Sequence, residues 1–296
     1  MKELKGILPA TVTPNKPDGS FDPIAMRKIV RHQLDAGSDG VYICGGTGEG
    51  LLMSREDREQ ALETVLEEAN GQAVVIAHVG AFQTAETVAL ARHAGGAGAD
   101  AIAALPPAYF YLPDDQGMVD YYTTVAEASD LPLLIYNIPQ RTRITMTEGL
   151  FTRLLEIPNV VGMKDSSGDI FSLGNLMART GDPVIFEGED STVLWALLAG
   201  AKGGIGSTYN VMPHLYVELW RAFQAGQIDV AAATQLRINE IIAILIKGGV
   251  IPAVMQTMAW IGLDCGRPRS PNRPLSEEES TDLRAALDGA GFFDQH

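Results

Sequence analysis

Val160-Val161-Gly162-Met163-Lys164-Asp165-Ser166-Ser167 is an apolar stretch that runs directly into a polar turn. With a helical pattern following at Ile170–Arg179, it is typical of one strand–helix unit whose strand is covered on both faces. Lys164 lies at the end of that strand. Because burial disfavours the charged ammonium, a lysine there can supply a free amine that attacks a carbonyl carbon. A surface lysine that merely follows a strand is the simpler alternative.

The same alternation of apolar run and helical pattern extends over most of the chain. Eight runs are nearly continuously apolar, as expected for parallel strands. They are Gly6–Thr13, Gly40–Gly46, Ala73–Gly80, Ala101–Pro107, Pro132–Pro139, Val160–Ser167, Val184–Asp190 and Gly203–Asn210. Helical patterns follow at Asp22–Ala36, Ser54–Asn70, Thr84–Ala94, Asp114–Ser129, Thr147–Ile157, Ile170–Arg179, Ser191–Ala199 and Pro213–Ala225. Eight such units in succession predict an α/β fold, a (β/α)8 TIM barrel.

The last part of the chain carries helical patterns without intervening strands, at Val230–Lys247, Ile251–Ile261 and Glu277–Ala290. The sequence therefore predicts a barrel over 1–227 and a C-terminal helical extension over 228–296 that packs on it. The Pro- and Arg-rich segment Arg267–Pro274 is predicted to be a loop between extension helices. Glycines near the ends of five helical patterns predict helix ends, and they are Gly71, Gly95, Gly181, Gly200 and Gly226.

The 296 residues are 46% hydrophobic and carry a formal net charge of −15. That hydrophobic fraction is enough for a sizeable core, and so acidic a chain is a poor partner for nucleic acid or anionic membranes. Its two cysteines, Cys44 and Cys265, form neither a disulfide framework nor a CxxC metal site. The N-terminal stretch lacks a signal-peptide pattern, and no run approaches the roughly 20 apolar residues of a membrane span. These observations predict a cytoplasmic protein with no nucleic-acid or membrane partner.

Polar residues cluster where the predicted strands end, which is the edge at which (β/α)8 barrels build their active sites. Lys164 can form a Schiff base with a keto group, and Tyr136, at the end of strand five, can relay a proton. After strand two, the turn Gly45–Gly48 can present backbone amides to a carboxylate, and Thr47 adds a hydroxyl donor. Other polar residues at strand ends are Tyr109, Tyr111, Asp165, Ser166, Glu189, Asp190, Ser207, Thr208 and Tyr209.

Each of these features also has a purely structural interpretation. Gly45–Gly48 is compatible with an ordinary tight loop, and its spacing is wrong for a dinucleotide fingerprint. Tyr136 is compatible with a core tyrosine, and His78 on strand three is better interpreted as structural than as a base. Asp165 is compatible with a surface ion pair to the adjacent lysine. The acidic pair Glu189-Asp190 has no histidine at ligand spacing, so no metal site is predicted.

Four motifs occur together in the chain: GGTGE at 45–49, YNIP at 136–139, VVGMKDSSGD at 160–169 and GGIGSTYN at 203–210. Through them the chain resembles, over nearly its whole length, the pyruvate-dependent class I aldolases of the N-acetylneuraminate lyase and dihydrodipicolinate synthase family. IAHVG at 76–80, GGIGSTYN and GLDCG at 262–266 are more similar to the lyase branch. The resemblance implies a Schiff-base lyase that cleaves or forms a carbon–carbon bond between pyruvate and an aldehyde. Its substrate would be a 2-keto-3-deoxy sugar acid, and it would need no metal or other cofactor.

The resemblance also implies roles for individual residues. Lys164 corresponds to the lysine that forms the Schiff base with the keto carbon, and Tyr136 to the tyrosine that moves the proton on the substrate hydroxyl. Thr47 and the amides of the GGTGE turn correspond to the carboxylate clamp. Tyr109 resembles a tyrosine lent to a neighbouring subunit's site, which implies a homodimer or homotetramer. Further substrate-binding positions are predicted at Gly45, Gly46, Ser166, Gly188, Asp190, Ser191, Ile205 and Ser207.

Three positions do not follow the pattern of the lyase branch. Gly46 stands where lyases have serine and synthases threonine, so one hydroxyl is lost from the carboxylate clamp and from any relay through Tyr136. Ser191 stands where lyases place a glutamate that binds the polyol tail of sialic acid, and its absence should weaken binding of such a tail by roughly 1.5–3 kcal/mol. Arg141 corresponds to the synthase arginine that receives a second carboxylate, for which its planar fork is suited. An exposed loop arginine is the alternative.

Other functions remain open at this stage. A dihydrodipicolinate synthase would condense pyruvate with an aspartate-derived aldehyde. A dehydratase or deaminase of the same family would use the same imine but eliminate water or ammonia, and the altered relay at Gly46 is compatible with that. A non-catalytic barrel that only binds a small molecule belongs to a different class. The buried lysine and the tyrosine argue against it, because a binding protein has no use for a costly buried amine.

Overall fold

Eight parallel strands form the barrel in the computed structural model, which describes residues 2–107 and 112–295. The strands are β1 Gly6–Pro9, β2 Gly40–Ile43, β3 Val74–His78, β4 Ala101–Ala104, β5 Leu133–Asn137, β6 Val160–Asp165, β7 Val184–Glu187 and β8 Gly203–Gly206. They are hydrogen-bonded in the order β1-β8-β7-β6-β5-β4-β3-β2. A bridge between Ala10 and Tyr42 brings β1 against β2 and closes the ring. The predicted (β/α)8 barrel is therefore confirmed.

Helices surround the barrel and continue beyond it. They are α1 Pro23–Asp35, α2 Arg55–Ala69, α3 Thr84–Ala97, α4 Asp115–Ala126, α5 Pro139–Thr142, α6 Glu148–Leu155, α7 Ile170–Arg179, α8 Val193–Ala199, α9 Pro213–Gln224, α10 Ile228–Leu245, α11 Val250–Trp260 and α12 Glu277–Gly289. Side-chain caps fix several of the starts. Asp22 accepts from the amides of the first turn of α1, and Ser276 forms a full capping box with Glu279 at α12.

Alternation along the strands divides the apolar residues into two layers. Inward-facing side chains fill the barrel, and they include Leu8, Tyr42, Ile76, Leu134, Phe186 and Ile205. Outward-facing residues of the same strands, such as Val75, Ile102 and Ile135, pack against the helices. Because both faces are covered, the strands read as continuous apolar runs in the sequence.

The C-terminal helices share a core with the barrel. Ile238 of α10, Met255 of α11 and Leu283 of α12 belong to one buried cluster with Ile7 of β1 and Leu215 of α9. The predicted C-terminal helices are therefore present and packed on the barrel. The division of the chain at 227/228 falls between α9 and α10 and stays a prediction about folding units.

Several predicted boundaries are wrong by a few residues. The strands end earlier than predicted, as β1 does at Pro9 and β8 at Gly206, because the polar residues that follow form turns and short 3-10 helices. Gly95 was expected to end a helix but lies inside α3, which ends at the left-handed Gly98. The segment Pro139–Thr142, predicted as strand end and loop, forms one helical turn.

In the described ranges no single helix has both the length and the apolar character needed to cross a bilayer. One pair, Ile228–Gly248 and Val250–Trp260, satisfies those criteria only when its two helices are taken together across a 111° bend.

Candidate active site

Lys164 lies inside the barrel in a row of inward-facing residues. In the strand register Tyr136 of β5 stands beside Lys164 of β6, which stands beside Phe186 of β7. The Lys164 Nζ is 4.1 Å from the centroid of the Tyr136 ring and 5.2 Å from that of Tyr42. The lysine is only 5% exposed, and in the described ranges it forms no salt bridge. Two aromatic faces therefore take the place that a carboxylate usually occupies beside a buried lysine.

The next residue along each of these three strands points to the outer face of the sheet, and together these residues form a second row. Asn137, Asp165 and Glu187 stand side by side in the register. Asp165 Oδ1 accepts from Asn137 Nδ2 at 2.5 Å, and its Oδ2 accepts from Ser167 Oγ at 2.7 Å. Burial raises the pKa of Asp165 even though both hydrogen bonds oppose that shift. Asp165 is thus a buried, hydrogen-bonded residue, and its interpretation as a surface ion pair is wrong.

Glu187, at the end of the outer row, is a buried carboxyl with one oxygen engaged. Its Oε1 accepts from the Glu189 amide at 2.8 Å, whereas Oε2 has no hydrogen-bond partner among the described residues. Burial, with further contributions from the negative charges of Asp165 and Glu189, raises the pKa of Glu187 to about 8. Near neutral pH this carboxyl is therefore largely protonated.

The turn after β2 packs directly on the barrel interior. A Cβ on Gly45 would lie 2.3 Å from Cε1 of Tyr42, so only glycine fits there. At Gly46 an added Cβ would meet only the Tyr136 Oη, at 3.8 Å. The position that lacks the expected hydroxyl is therefore open space beside the predicted proton-relay tyrosine. The next residue, Thr47, has its Oγ1 2.7 Å from Ser207 Oγ, which links the loops after β2 and β8.

Glu49 anchors the C-terminal extension to this turn. It is buried in a left-handed conformation, and its carboxylate accepts from the Arg269 amide with both oxygens at 3.0 Å. Asn272 Nδ2 donates to the same carboxylate at 2.8 Å, and Arg269 Nη1 donates to the Thr13 carbonyl at 2.9 Å. The loop 267–274 is thereby bound to the barrel mouth. In the sequence Glu49 is recognisable only as part of the GGTGE motif, because no local pattern links it to Arg269, which lies 220 residues further along the chain.

The residues after β7 and β8 are mostly bonded to each other. Asp190 accepts from both the amide and the hydroxyl of Thr208 at 2.7 Å, and burial raises the pKa of Asp190 to about 6. Ser191 Oγ donates to Glu189 Oε1 at 2.8 Å. Ile205 is fully buried in the barrel interior. The predicted sugar-binding positions Asp190 and Ser191 therefore already have protein partners.

Gly188 and Ser166 lie directly beside the lysine. A Cβ on Gly188 would be 2.1 Å from Ser166 Oγ and 3.1 Å from Lys164 Cε, so glycine is needed for the lysine to pass. Ser166 Oγ is buried and has no partner among the described residues. Of the predicted substrate-binding serines Ser166, Ser191 and Ser207, it is the one whose hydroxyl has no hydrogen-bond partner among the described residues.

His78 has both ring nitrogens engaged. Nδ1 is 3.1 Å from the Cys44 carbonyl, and the Leu105 amide donates to Nε2 at 3.3 Å. Burial, together with the nearby charge of Arg58, lowers the pKa of His78 well below its usual range. A neutral imidazole that donates through Nδ1 and accepts through Nε2 satisfies this geometry, as a structural residue would.

A cavity of about 490 Å³ opens above these residues. Gly45, Gly46, Tyr136 and Arg141 are among the residues that line it. Arg141 is exposed on α5, and its guanidinium makes no hydrogen bond or salt bridge to any other described residue. The rest of the wall is mainly apolar and includes Leu51, Leu52, Phe82, Leu105, Ile138 and Pro271. A larger cavity of about 790 Å³ beside 266–270 contains none of the predicted catalytic residues. Tyr109 lies outside the described residues.

Comparison with known proteins agrees with this arrangement. Residues 3–290 match the Dihydrodipicolinate synthetase family. An N-acetylneuraminate lyase from Rhizobium meliloti (strain 1021) is 37% identical over 286 residues, which cover 96% of this chain and 95% of that protein. The structure of wild-type Ruminococcus gnavus sialic acid aldolase superposes with a TM-score of 0.93 at 33% identity, covering 98% of both chains. A dihydrodipicolinate synthase from Bacillus anthracis superposes with a TM-score of 0.92 at 29% identity, covering 97% of this chain and 99% of that one.

The fold and the lysine at its mouth define a class I aldolase, a carbon–carbon lyase that works through a lysine Schiff base. The chain belongs to the dihydrodipicolinate synthetase family. Within that family it lies in the branch of the N-acetylneuraminate lyases, as the motifs predicted.

Proposed function

We propose that the protein cleaves a 2-keto-3-deoxy acid into pyruvate and an aldehyde, or joins the two, through an imine on Lys164. The observation that carries the proposal is the buried Lys164 Nζ, held against the rings of Tyr136 and Tyr42 without a carboxylate partner among the described residues. A lysine at this position can act as the nucleophile that attacks a keto carbon. No cofactor is required, since the iminium itself withdraws the electrons.

The reaction begins when the free Lys164 amine adds to the keto carbon and the carbonyl oxygen takes up a proton. Loss of water from this carbinolamine gives the iminium. Removal of the proton from the C4 hydroxyl then drives cleavage of the C3–C4 bond, whose electrons pass into the iminium to form an enamine. The aldehyde leaves, C3 takes up a proton, and water releases pyruvate. The reverse sequence forms the bond.

Tyr136 is proposed to move the proton on the C4 hydroxyl. It stands beside Lys164 in the register and lines the cavity, so its phenol reaches a substrate bound to the lysine. The open space at Gly46 lies next to the Tyr136 Oη and admits a water that continues the relay. The turn Gly45–Gly48 and Thr47 are proposed to receive the carboxylate of the keto acid.

The aldehyde half is proposed to extend towards Arg141. Arg141 lines the same cavity as Tyr136, and its guanidinium has no protein partner in the described part of the chain, whereas Asp190 Oδ2 and Ser191 Oγ are already bonded to protein groups. A carboxylate or another short polar group suits the guanidinium fork. Arg141→Ala should therefore raise the KM for the true aldehyde. Unchanged kinetics with that substrate would contradict the assignment.

The Arg141 guanidinium at the cavity also makes dihydrodipicolinate synthase the second candidate, because the aldehyde that such a synthase uses carries a carboxylate. The two are separated by offering the protein pyruvate with N-acetylmannosamine or with aspartate semialdehyde. Turnover of the second aldehyde alone would identify a synthase.

We further propose a cytoplasmic homodimer or homotetramer. Leu51, Leu52 and Phe82 are exposed large apolar residues around the cavity mouth, and such a patch is typical of a surface that another subunit covers. The free, buried Cys44 and Cys265 are compatible with a reducing compartment.

The test is borohydride reduction in the presence of pyruvate, followed by peptide mass spectrometry. The expected result is a reduced pyruvyl adduct on Lys164. Lys202, which is paired with Asp182 at the start of β8, serves as an internal control and should stay unmodified. A folded protein that yields no adduct, or adducts spread over many lysines, would overturn the imine mechanism with pyruvate.

A further inference from the structure

The cavity beside Tyr136 is larger than the keto acid needs. Its volume is about 490 Å³, within the range of pockets that enclose whole small molecules, so pyruvate alone would leave much of it unfilled. Gly45, Gly46 and Tyr136 form the part of the wall assigned to the keto acid and the C4 hydroxyl. The rest of the described wall is mainly apolar, and its apolar residues are Leu51, Leu52, Phe82, Leu105, Ile138 and Pro271. The part of the substrate that follows C4 would therefore lie against apolar side chains.

Leu105 brings this apolar wall directly beside the proposed reaction centre. Ala104 of β4 stands beside Ile135 of β5 in the register, so the residues that follow them, Leu105 and Tyr136, are neighbours at the end of the barrel. Leu105 and Ile138 are only partly exposed. The more exposed part of the wall is the patch that another subunit is proposed to cover. Apolar contact with the substrate therefore does not depend on that patch.

Most hydrogen-bonding side chains along the wall already have protein partners. Glu49 accepts from Asn272 Nδ2 at 2.8 Å, and both ring nitrogens of His78 are engaged by the backbone. Thr142 Oγ1 donates to the Ile138 carbonyl at 3.1 Å. Three lining side-chain groups remain without a protein partner in the described part of the chain, and they are the Tyr136 hydroxyl, the Arg141 guanidinium and the Asn272 carbonyl oxygen.

This distribution of polar groups disfavours a sugar-like aldehyde in the cavity. A polyhydroxylated chain carries a hydroxyl on almost every carbon, and each hydroxyl that loses water without finding a partner lowers affinity roughly tenfold or more. The predicted sugar-binding positions Asp190 and Ser191 do not line the cavity. By contrast, each methylene that is buried against the wall should raise affinity about fourfold.

We propose that the aldehyde partner of pyruvate has an apolar alkyl or aryl body and ends in a carboxylate that Arg141 receives. This inference rests on the proposed imine chemistry at Lys164 and narrows its substrate class. Arg141 is the only arginine or lysine among the described residues that line the cavity, and its planar fork suits a carboxylate. The apolar wall selects the body of the aldehyde, and the guanidinium selects its end.

The test measures the aldol addition of pyruvate, at saturating concentration, to three six-carbon aldehydes. 6-Oxohexanoate has the apolar body and the carboxylate, hexanal lacks the carboxylate, and glucuronate carries a hydroxyl on every carbon of its body. Concentrations refer to the free open-chain aldehyde. The kcat/KM for 6-oxohexanoate should exceed that for glucuronate by roughly 100-fold or more, because glucuronate replaces four methylenes with hydroxylated carbons. It should exceed that for hexanal by roughly tenfold, the effect of a hydrogen bond to a charged group.

Leu105→Asn tests whether the wall itself sets this preference. The variant replaces apolar surface with an amide, so the preference for 6-oxohexanoate over glucuronate should fall by roughly tenfold. Half-saturation by pyruvate in borohydride trapping should stay within a few-fold of the wild type. Leu155→Asn is the matched control, because Leu155 at the end of α6 is also partly buried but does not line this cavity. It should leave the preference unchanged.

The inference is overturned if the wild type uses glucuronate or hexanal as well as it uses 6-oxohexanoate, or if it traps pyruvate but accepts none of the three aldehydes. An unchanged preference in a folded Leu105→Asn variant also overturns it, and the wild-type comparison decides the question if that variant does not fold. Failure of the wild type to trap pyruvate would instead refute the imine proposal on which the inference rests.

Discussion

The two faces of the sheet at the end of β6 hold opposite kinds of chemistry. The inner row, Tyr136–Lys164–Phe186, contains a cation with no carboxylate beside it. The outer row, Asn137–Asp165–Glu187, contains two carboxyl groups and no cation. Lys164 and Asp165 are neighbours in sequence, yet the strand turns their side chains to opposite faces. The backbone itself therefore keeps the nearest acid away from the proposed nucleophile, and a slip of one residue would exchange the two rows.

The largest effect on activity and stability is expected when Lys164 and Asp165 are each replaced by alanine in separate variants. Lys164→Ala should abolish pyruvate trapping and turnover while leaving the Tm unchanged or higher, because a buried amine without a carboxylate partner is removed. Asp165→Ala should leave Asn137 and Ser167 without their acceptor and lower stability by about 1–3 kcal/mol, with a smaller effect on activity. Activity assays and thermal unfolding on both variants check this. Equal effects on both properties would show that the two faces are not functionally distinct.

Within the inner row, Tyr136→Phe should separate imine formation from bond cleavage. The variant keeps the aromatic face beside Lys164 and loses the hydroxyl that is proposed to move the proton, so kcat should fall by about 10²–10⁴. Borohydride trapping with pyruvate should stay within a few-fold of the wild type. Loss of trapping in proportion to kcat would place Tyr136 in imine formation and contradict its role in the relay.

In the outer row, Glu187 should make stability depend on pH. Its pKa is about 8 in the folded chain against an ordinary 4.5, so the folded state holds a proton that the unfolded state releases. This contribution is complete below about pH 4.5 and is lost as the pH rises towards 8, an effect of a few kcal/mol by linkage. Glu187→Gln should flatten the decline of unfolding free energy between pH 5 and 8. Denaturant titrations at several pH values measure it, and parallel curves for the two proteins would refute the raised pKa.

The smallest effect is expected at Gly46. A serine fits there, since an added Cβ meets only the Tyr136 Oη at 3.8 Å, so Gly46→Ser should leave the Tm nearly unchanged. Its hydroxyl would replace the proposed water beside Tyr136 and change kcat by less than about tenfold. Gly45→Ala is the contrasting variant, because its methyl group would strike the Tyr42 ring and destabilise the turn. If both glycine variants behaved alike, the space at Gly46 would not exist.

Much of the fold was predictable because parallel strands covered on both faces leave a simple signal. All eight strands and the main helices follow from apolar runs and helical periodicity. Their ends did not. Ser207 to Asn210 is compatible with a strand by composition, but Thr208–Asn210 forms a 3-10 turn in which the Thr208 amide donates to Asp190 and the Asn210 side chain donates to the Ser207 carbonyl. The positions of Lys164 and Tyr136 near the ends of their strands likewise predicted that the two side chains lie close together, because the ends of parallel barrel strands converge.

Other parts of the site depend on contacts that no local pattern contains. The Thr47–Ser207 contact and the protein partners of Asp190 arise only when distant loops pack together.

The anchoring of Glu49 by Arg269 also sets an order of events during synthesis. The ribosome delivers the GGTGE turn early and the loop that holds it late, after the last strand has already emerged. A nascent chain can thus contain all eight strands while the GGTGE turn still lacks the contacts that hold Glu49 in a left-handed conformation. The contacts that hold Glu49 can therefore form only after residues 267–274 have been synthesised, later than the last strand of the barrel.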